Sequence, residues 1–143
     1  MIYYFTGQPG SGKTTLGKLL IKHQLYSAIL IDGDDIRELF QNTDYSEFGR
    51  RNNVQLAQNI AYFLSVSGYD VVLAIVSPFK DMRNDLKNKT TVTEIYVHTT
   101  DIRGRENFMV SYYEPPSEDF VDIDTTNLTA LESYGKLKRK VFI

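Results

Sequence analysis

Short apolar runs alternate along the chain with stretches whose apolar residues recur every three or four positions, which predicts strands and helices in turn. Ile2 to Thr6 reads as the first strand. Leu16, Leu19 and Leu20 then set a helix over Lys13 to His23. Ala28 to Ile31 is a second strand, and Asp34 to Phe40 a short helix. Val54, Ala57, Ile60, Ala61 and Leu64 share one face of a helix over Arg50 to Ser67, which Gly68 stops. Val71 to Val76 is the third strand, Asp81 to Lys87 a helix, and Glu94 to His98 the fourth strand. Phe120 to Asp124 alternates like an edge strand, and a helix over Leu128 to Lys140 closes the chain. Unbroken apolar strands separated by helices predict an α/β fold: a three-layer α/β/α sandwich around a five-stranded parallel sheet, with residues 1–143 as one domain.

In open sheets of this kind ligands bind beyond the carboxyl ends of the strands. Polar residues gather there. After the first strand, Gly7-Gln8-Pro9-Gly10-Ser11-Gly12-Lys13-Thr14 fits G-x-x-x-x-G-K-[ST] between a strand and a helix. Its glycines let backbone N–H groups turn inward as an anion cradle at a helix N-terminus. Lys13 can reach the β and γ phosphates of ATP, and the Thr14 hydroxyl can ligate Mg²⁺. The nucleotide-binding set is therefore Gly7, Gly10, Ser11, Gly12, Lys13, Thr14 and Thr15. A guanine-reading N-K-x-D is missing, since Asn88-Lys89-Thr90-Thr91 lacks the Asp and precedes a strand. A motor ATPase would need far more chain, so a small P-loop kinase remains.

Asp32 and Asp34 stand at the mouth of the second strand. Two such carboxylates suit phosphoryl transfer: Asp32 to orient Mg²⁺-bound water, Asp34 to hold and deprotonate an acceptor hydroxyl. The competing role is a helix cap at Asp34 or Asp35. Arg37 shares a helical face with Asp34 and aims at an anionic acceptor. Arg50 and Asn53, one turn apart, suit a second phosphate and a base or ribose edge. Ser77, after the third strand, is placed to cap the helix that follows.

Composition narrows the rest. A net charge of −2 argues against nucleic acid as partner, and no apolar run is long enough to span a membrane. The apolar start breaks at Gly7 without a basic lead-in, so it is no signal peptide, and the chain has no Cys. The expectation is a cytoplasmic protein with a small-molecule substrate. A homodimer is left open.

Together these residues resemble the adenylyl-sulfate kinase family, which phosphorylates the 3′-hydroxyl of adenylyl sulfate with MgATP. The matching stretches are Gly7 to Thr15, Ile31-Asp32-Gly33-Asp34-x-x-Arg37, and Tyr45-Ser46 through Arg50 and Asn53. Val76-Ser77-Pro78 with Arg83, Tyr113-Glu114-Pro115-Pro116 and Ile123-Asp124-Thr125 follow in the family's order. The resemblance implies a P-loop kinase of sulfate assimilation in which Asp34 is the base. Arg37, Arg50 and Asn53 would bind the phosphosulfate and adenosine, Val76 and Ser77 would line the same pocket, and Tyr45 would stack on the adenine.

Two positions depart from the family pattern. Gly49 replaces an Asp, which implies one lost local hydrogen bond. The lid, approximately residues 99–113, is much shortened and lacks the family's R-D-x-K-G-L-Y lysine. Arg103 and Arg105, flanking Gly104, are the residues left to supply positive charge over the phosphates, with Phe108 as a second wall for an adenine. The short lid keeps two alternatives open: another nucleotide or a small hydroxylated metabolite as acceptor, or a nucleotide-binding protein without turnover. Asp34 and Arg37 speak against the last, because binding ATP needs neither.

Overall fold

A computed structural model describes residues 1–142. Its elements are β1 (Ile2–Thr6), α1 (Lys13–His23), β2 (Ile29–Asp32), α2 (Gly33–Leu39), α3 (Glu47–Val66), β3 (Val71–Ala74), α4 (Lys80–Lys89), β4 (Val92–His98), β5 (Val121–Asp124) and α5 (Ala130–Val141). The five strands form one parallel sheet in the order β2-β3-β1-β4-β5. β1 takes the centre of the sheet and is buried at every position. β5 is an edge strand, as its alternation predicts.

Side-chain alternation in the strands feeds two cores. Ile2, Tyr4, Val71 and Leu73 point to one face, where Ile36, Val54, Ala57, Met82 and Leu86 of α2, α3 and α4 cover them. Tyr3, Phe5, Val72, Ile95 and Val97 point to the other, against Leu16 and Leu20 of α1 and Tyr134 and Leu137 of α5. Among the described residues, no helix is long and apolar enough to cross a membrane.

Most element boundaries lie one to three residues from those the sequence predicts, and three of the shifts are instructive. α3 begins at Glu47, not Arg50, because the Ser46 hydroxyl accepts from the Gly49 N–H and caps an extra turn. β3 stops at Ala74: Ile75 N–H still donates to the Phe5 carbonyl, but the chain then turns through Ser77 at φ 46°. β4 starts at Val92, two residues early, where it pairs with Ile2. A short 3-10 turn at Glu106–Phe108, which apolar periodicity does not signal, lies in the connection between β4 and β5.

A buried ion pair holds α4 to the sheet. Arg83 is fully buried; its Nε donates to Glu94 Oε2 at 2.7 Å, and Lys87 Nζ donates to Glu94 Oε1 at 2.9 Å. The same guanidinium donates to the carbonyls of Ser77 and Glu114. Each of the three guanidinium nitrogens therefore has an acceptor, which offsets the burial of that charge.

Candidate active site

Residues 7 to 12 join β1 to α1 as a loop in which Gly12 has φ 110°, a left-handed backbone that glycine adopts without strain. Lys13 opens α1 and is buried, with its Nζ donating to the Gln8 carbonyl at 2.8 Å. Burial pushes its pKa down to about 8; the Asp32 and Asp34 carboxylates oppose that shift, and Arg105 adds to it. Thr14 Oγ1 donates to Asp32 Oδ2 at 2.5 Å, so the threonine and the first carboxylate meet at the carboxyl ends of the strands.

Asp32 also settles the helix cap. Its Oδ1 accepts the Asp34 N–H at 2.9 Å, so the cap of α2 falls on Asp32 and not on Asp34 or Asp35. The Asp34 carboxylate is exposed, makes no hydrogen bond or ion pair among the described residues, and faces a cavity of about 590 Å³. Gly10, Gly12, Lys13, Thr14 and Thr15 form one wall of that cavity.

The opposite wall is basic and aromatic. Arg37 is nearly buried; its Nη1 donates to the Asn42 carbonyl at 3.2 Å and to the Asp44 carbonyl at 3.0 Å. Its guanidinium lies 3.9 Å over the Tyr45 ring, and that of Arg50 lies 5.6 Å from the same ring. Both guanidiniums approach the Tyr45 ring, which lines the cavity and stays 59% exposed. Asn53, reaching in from α3, donates from Nδ2 to the Gly33 carbonyl at 3.2 Å. Its Oδ1 is buried without a partner among the described residues. A buried acceptor left in that state calls for a donor on whatever enters the cavity.

Val76 and Ser77 form the floor. The Val76 carbonyl accepts from Thr6 Oγ1 at 2.8 Å. Ser77 does not cap α4, whose N-cap is Phe79; its hydroxyl pairs with the Tyr4 hydroxyl at 2.6 Å, which also accepts from Gln58 Nε2 at 2.9 Å. Burial holds the Tyr4 pKa up at about 12, so that network stays protonated. Tyr113 and Glu114 lie outside the cavity and brace it: Tyr113 pairs with Thr6 Oγ1 at 2.7 Å, and Glu114 Oε1 accepts the Lys80 N–H at 3.1 Å.

The two lid arginines separate. Arg103 Nη1 donates to the carbonyls of Gly10 at 3.2 Å and Ser11 at 3.1 Å, and its Nη2 to Asp101 and Thr125. Its terminal nitrogens are thus engaged by the phosphate loop, Asp101 and Thr125, while the residue still lines the cavity. The Arg105 side chain makes no hydrogen bond among the described residues and lines the cavity with Phe108. A smaller hollow of about 310 Å³ lies on the other side of the loop, between Gly12, Thr15, Arg103, Thr125 and Leu128.

Gly49 has a different cause from a lost hydrogen bond. A Cβ there would lie 2.1 Å from the Asp44 carbonyl oxygen, so the tight turn that feeds α3 leaves no room for a side chain. Gly→Ala in an open helix gains up to ~1 kcal/mol; here the clash wins. Gly49→Ala is expected to cost about 1–3 kcal/mol, read as a lower urea midpoint with unchanged slope.

The sequence profile of the adenylylsulphate kinase family matches residues 1–118. The chain belongs to that family. Adenylyl-sulfate kinase of Burkholderia ambifaria is 34% identical over 104 residues, which cover 67% of this chain and 57% of that protein. Cytidine diphosphoramidate kinase of Campylobacter jejuni is 34% identical over 103 residues, covering 67% and 59%. The chain thus spans little more than half the length of these two relatives. The fold matches the Mycobacterium tuberculosis APS kinase solved with AMPPNP and APS at a TM-score of 0.81 and 21% identity, over 96% of this chain and 95% of that one.

Three residues around the cavity received no role from the sequence alone. Thr125 Oγ1 donates to the Ser11 carbonyl at 3.0 Å, and Gln8 pairs with Val110. Thr125 had a signal in the strand-end I-D-T. Gln8 and Val110 had none, because their contact spans 102 positions.

Proposed function

We propose that the chain is a kinase that transfers the γ-phosphate of MgATP to a hydroxyl acceptor, with the 3′-hydroxyl of adenylyl sulfate as that acceptor. The observation that carries this reading is the Asp34 carboxylate, free of protein partners, in one cavity with Lys13 and the paired Thr14 and Asp32. A helix cap needs no such exposed acid; a phosphoryl acceptor does. Family membership supports the same reading.

ATP would lie along the amide-lined loop, with its base toward the hollow between Gly12, Arg103 and Thr125. The oxygen donors of Thr14 and Asp32 fit a hard cation such as Mg²⁺, which supplies charge neutralisation between the phosphates. Among the described residues no group of three or more His, Cys, Asp or Glu could hold a metal. Lys13 and Arg105 stabilise charge on the transferring group. Asp34 orients the acceptor hydroxyl and takes its proton. Arg37 and Arg50 hold the acceptor's anionic bridge, and Asn53 Oδ1 accepts from its base or ribose.

One observation favours a second reading. The Campylobacter relative named for a cytidine substrate matches as well as the one named for adenylyl sulfate. ATP consumption with adenylyl sulfate, AMP, a cytidine diphosphate derivative and a panel of small alcohols separates the readings. Turnover confined to adenylyl sulfate is the expected result. Turnover with another acceptor alone would replace it, and tight ATP binding without turnover on any would indicate a nucleotide-binding protein.

A further inference from the structure

Gln8 occupies a position in the phosphate loop that the sequence motif leaves free, yet it is bonded at both ends of its amide. Its Nε2 donates to the Val110 carbonyl at 2.8 Å, and its Oε1 accepts the Val110 N–H at 2.9 Å. The pair mimics two strand residues bonded face to face. Val110 is buried at that junction, with 4% of its surface exposed. At the other end of the same segment, Arg103 is fixed to the Gly10 and Ser11 carbonyls. The lid is therefore pinned to the phosphate loop at two points, and Arg105 and Phe108 are carried on the arch between them. The fit is close: a Cβ on Gly10 would stand 3.0 Å from the Arg105 Cβ.

We propose that Gln8 is a positioning residue that holds this short lid in register over the cavity, so that Arg105 meets the transferring phosphate without a long mobile segment having to close. The backbone of Gln8 links the tether to the catalytic lysine, because the Gln8 carbonyl accepts from Lys13 Nζ. A leucine at this position would fill similar space and offer no hydrogen bond. Of its two anchors on the phosphate loop the lid would then keep only Arg103, and Arg105 would sample positions away from the loop. ATP itself is gripped by backbone amides that such a change leaves in place.

The inference rests on the kinase reading of the site, and backbone amide exchange tests the tether without turnover, so the two fail separately. In Gln8→Leu the Val110 amide is expected to exchange about tenfold faster or more, and trypsin is expected to cut faster after Arg103 and Arg105. Gln8→Glu, which retains an acceptor for the Val110 N–H, is expected to recover part of that protection. On the acceptor that the wild type uses, Gln8→Leu is expected to lower kcat about tenfold while KM for ATP stays within about twofold. Unchanged exchange at Val110 in Gln8→Leu would overturn the tether. Faster exchange with unchanged kcat would overturn its positioning role. Equal loss of protection across both cores would mean that the variant is globally unstable and that Gln8 serves only the fold, which also overturns the proposal.

Discussion

Lys13→Met is expected to abolish turnover, by about 10³-fold or more, while raising the melting temperature by several degrees. The two effects have one source. The ammonium is buried beside the phosphate loop, and burial lowers its pKa from 10.5 to about 8. A charged lysine there stands on the order of 3 kcal/mol above one in water, by the energy equivalent of that displacement. Part of this is offset in any variant by lost packing and by the lost bond to the Gln8 carbonyl, so a gain of about 1–3 kcal/mol is expected from an apolar isostere. The linkage has a definite sign. Between pH 8 and pH 10.5 the unfolded chain binds the proton more tightly than the native one, so wild-type stability rises with pH across that window. Lys13→Met removes that rise. Calorimetry at pH 7 and at pH 9.5 beside a turnover assay checks both halves: a variant less stable than the wild type at pH 7 would contradict the burial argument.

Asp34→Asn is expected to cut turnover by about 10²-fold or more and to leave stability within about 0.5 kcal/mol. The asymmetry follows from geometry. Asp32 holds the helix cap and the Thr14 hydroxyl, whereas the Asp34 carboxylate has no protein partner among the described residues. Asn keeps the shape and removes the base. A wild-type rate in Asp34→Asn would take the proton-accepting role away from this residue, and a large loss of stability would mean that the carboxylate is structural. Asp32→Asn should differ in kind, lowering stability together with rate.

Much of this arrangement is legible in residue order because short-range physics writes it. The phosphate loop, the strand ends and the Asp34–Arg37 pair lie within a few positions of one another, and the loop's sequence states its own backbone shape. Boundaries failed where a side chain decided them: Ser46 lengthens α3 by capping it, and the Ser77 turn shortens β3. Roles failed where partners are remote. Ser77 looks like a cap until Tyr4, 73 positions away, takes its hydroxyl. Arg103 and Arg105 look equivalent, yet only the fold brings the Gly10 and Ser11 carbonyls, more than 90 positions distant, against Arg103. Gly49 looks like a lost carboxylate and is instead a steric requirement.

The strand order carries a consequence for biosynthesis. β1 is made before its β3 and β4 neighbours, which come from residues 71–74 and 92–96, so its hydrogen-bonding groups wait for those segments to be made. Pairings over such separations close slowly. Until they do, Ile2 to Phe5 is an open apolar ribbon of the kind that recruits other nascent chains. A product cut short at Lys89 would keep that ribbon bare on its β4 side for good, which makes premature termination a direct route to aggregation.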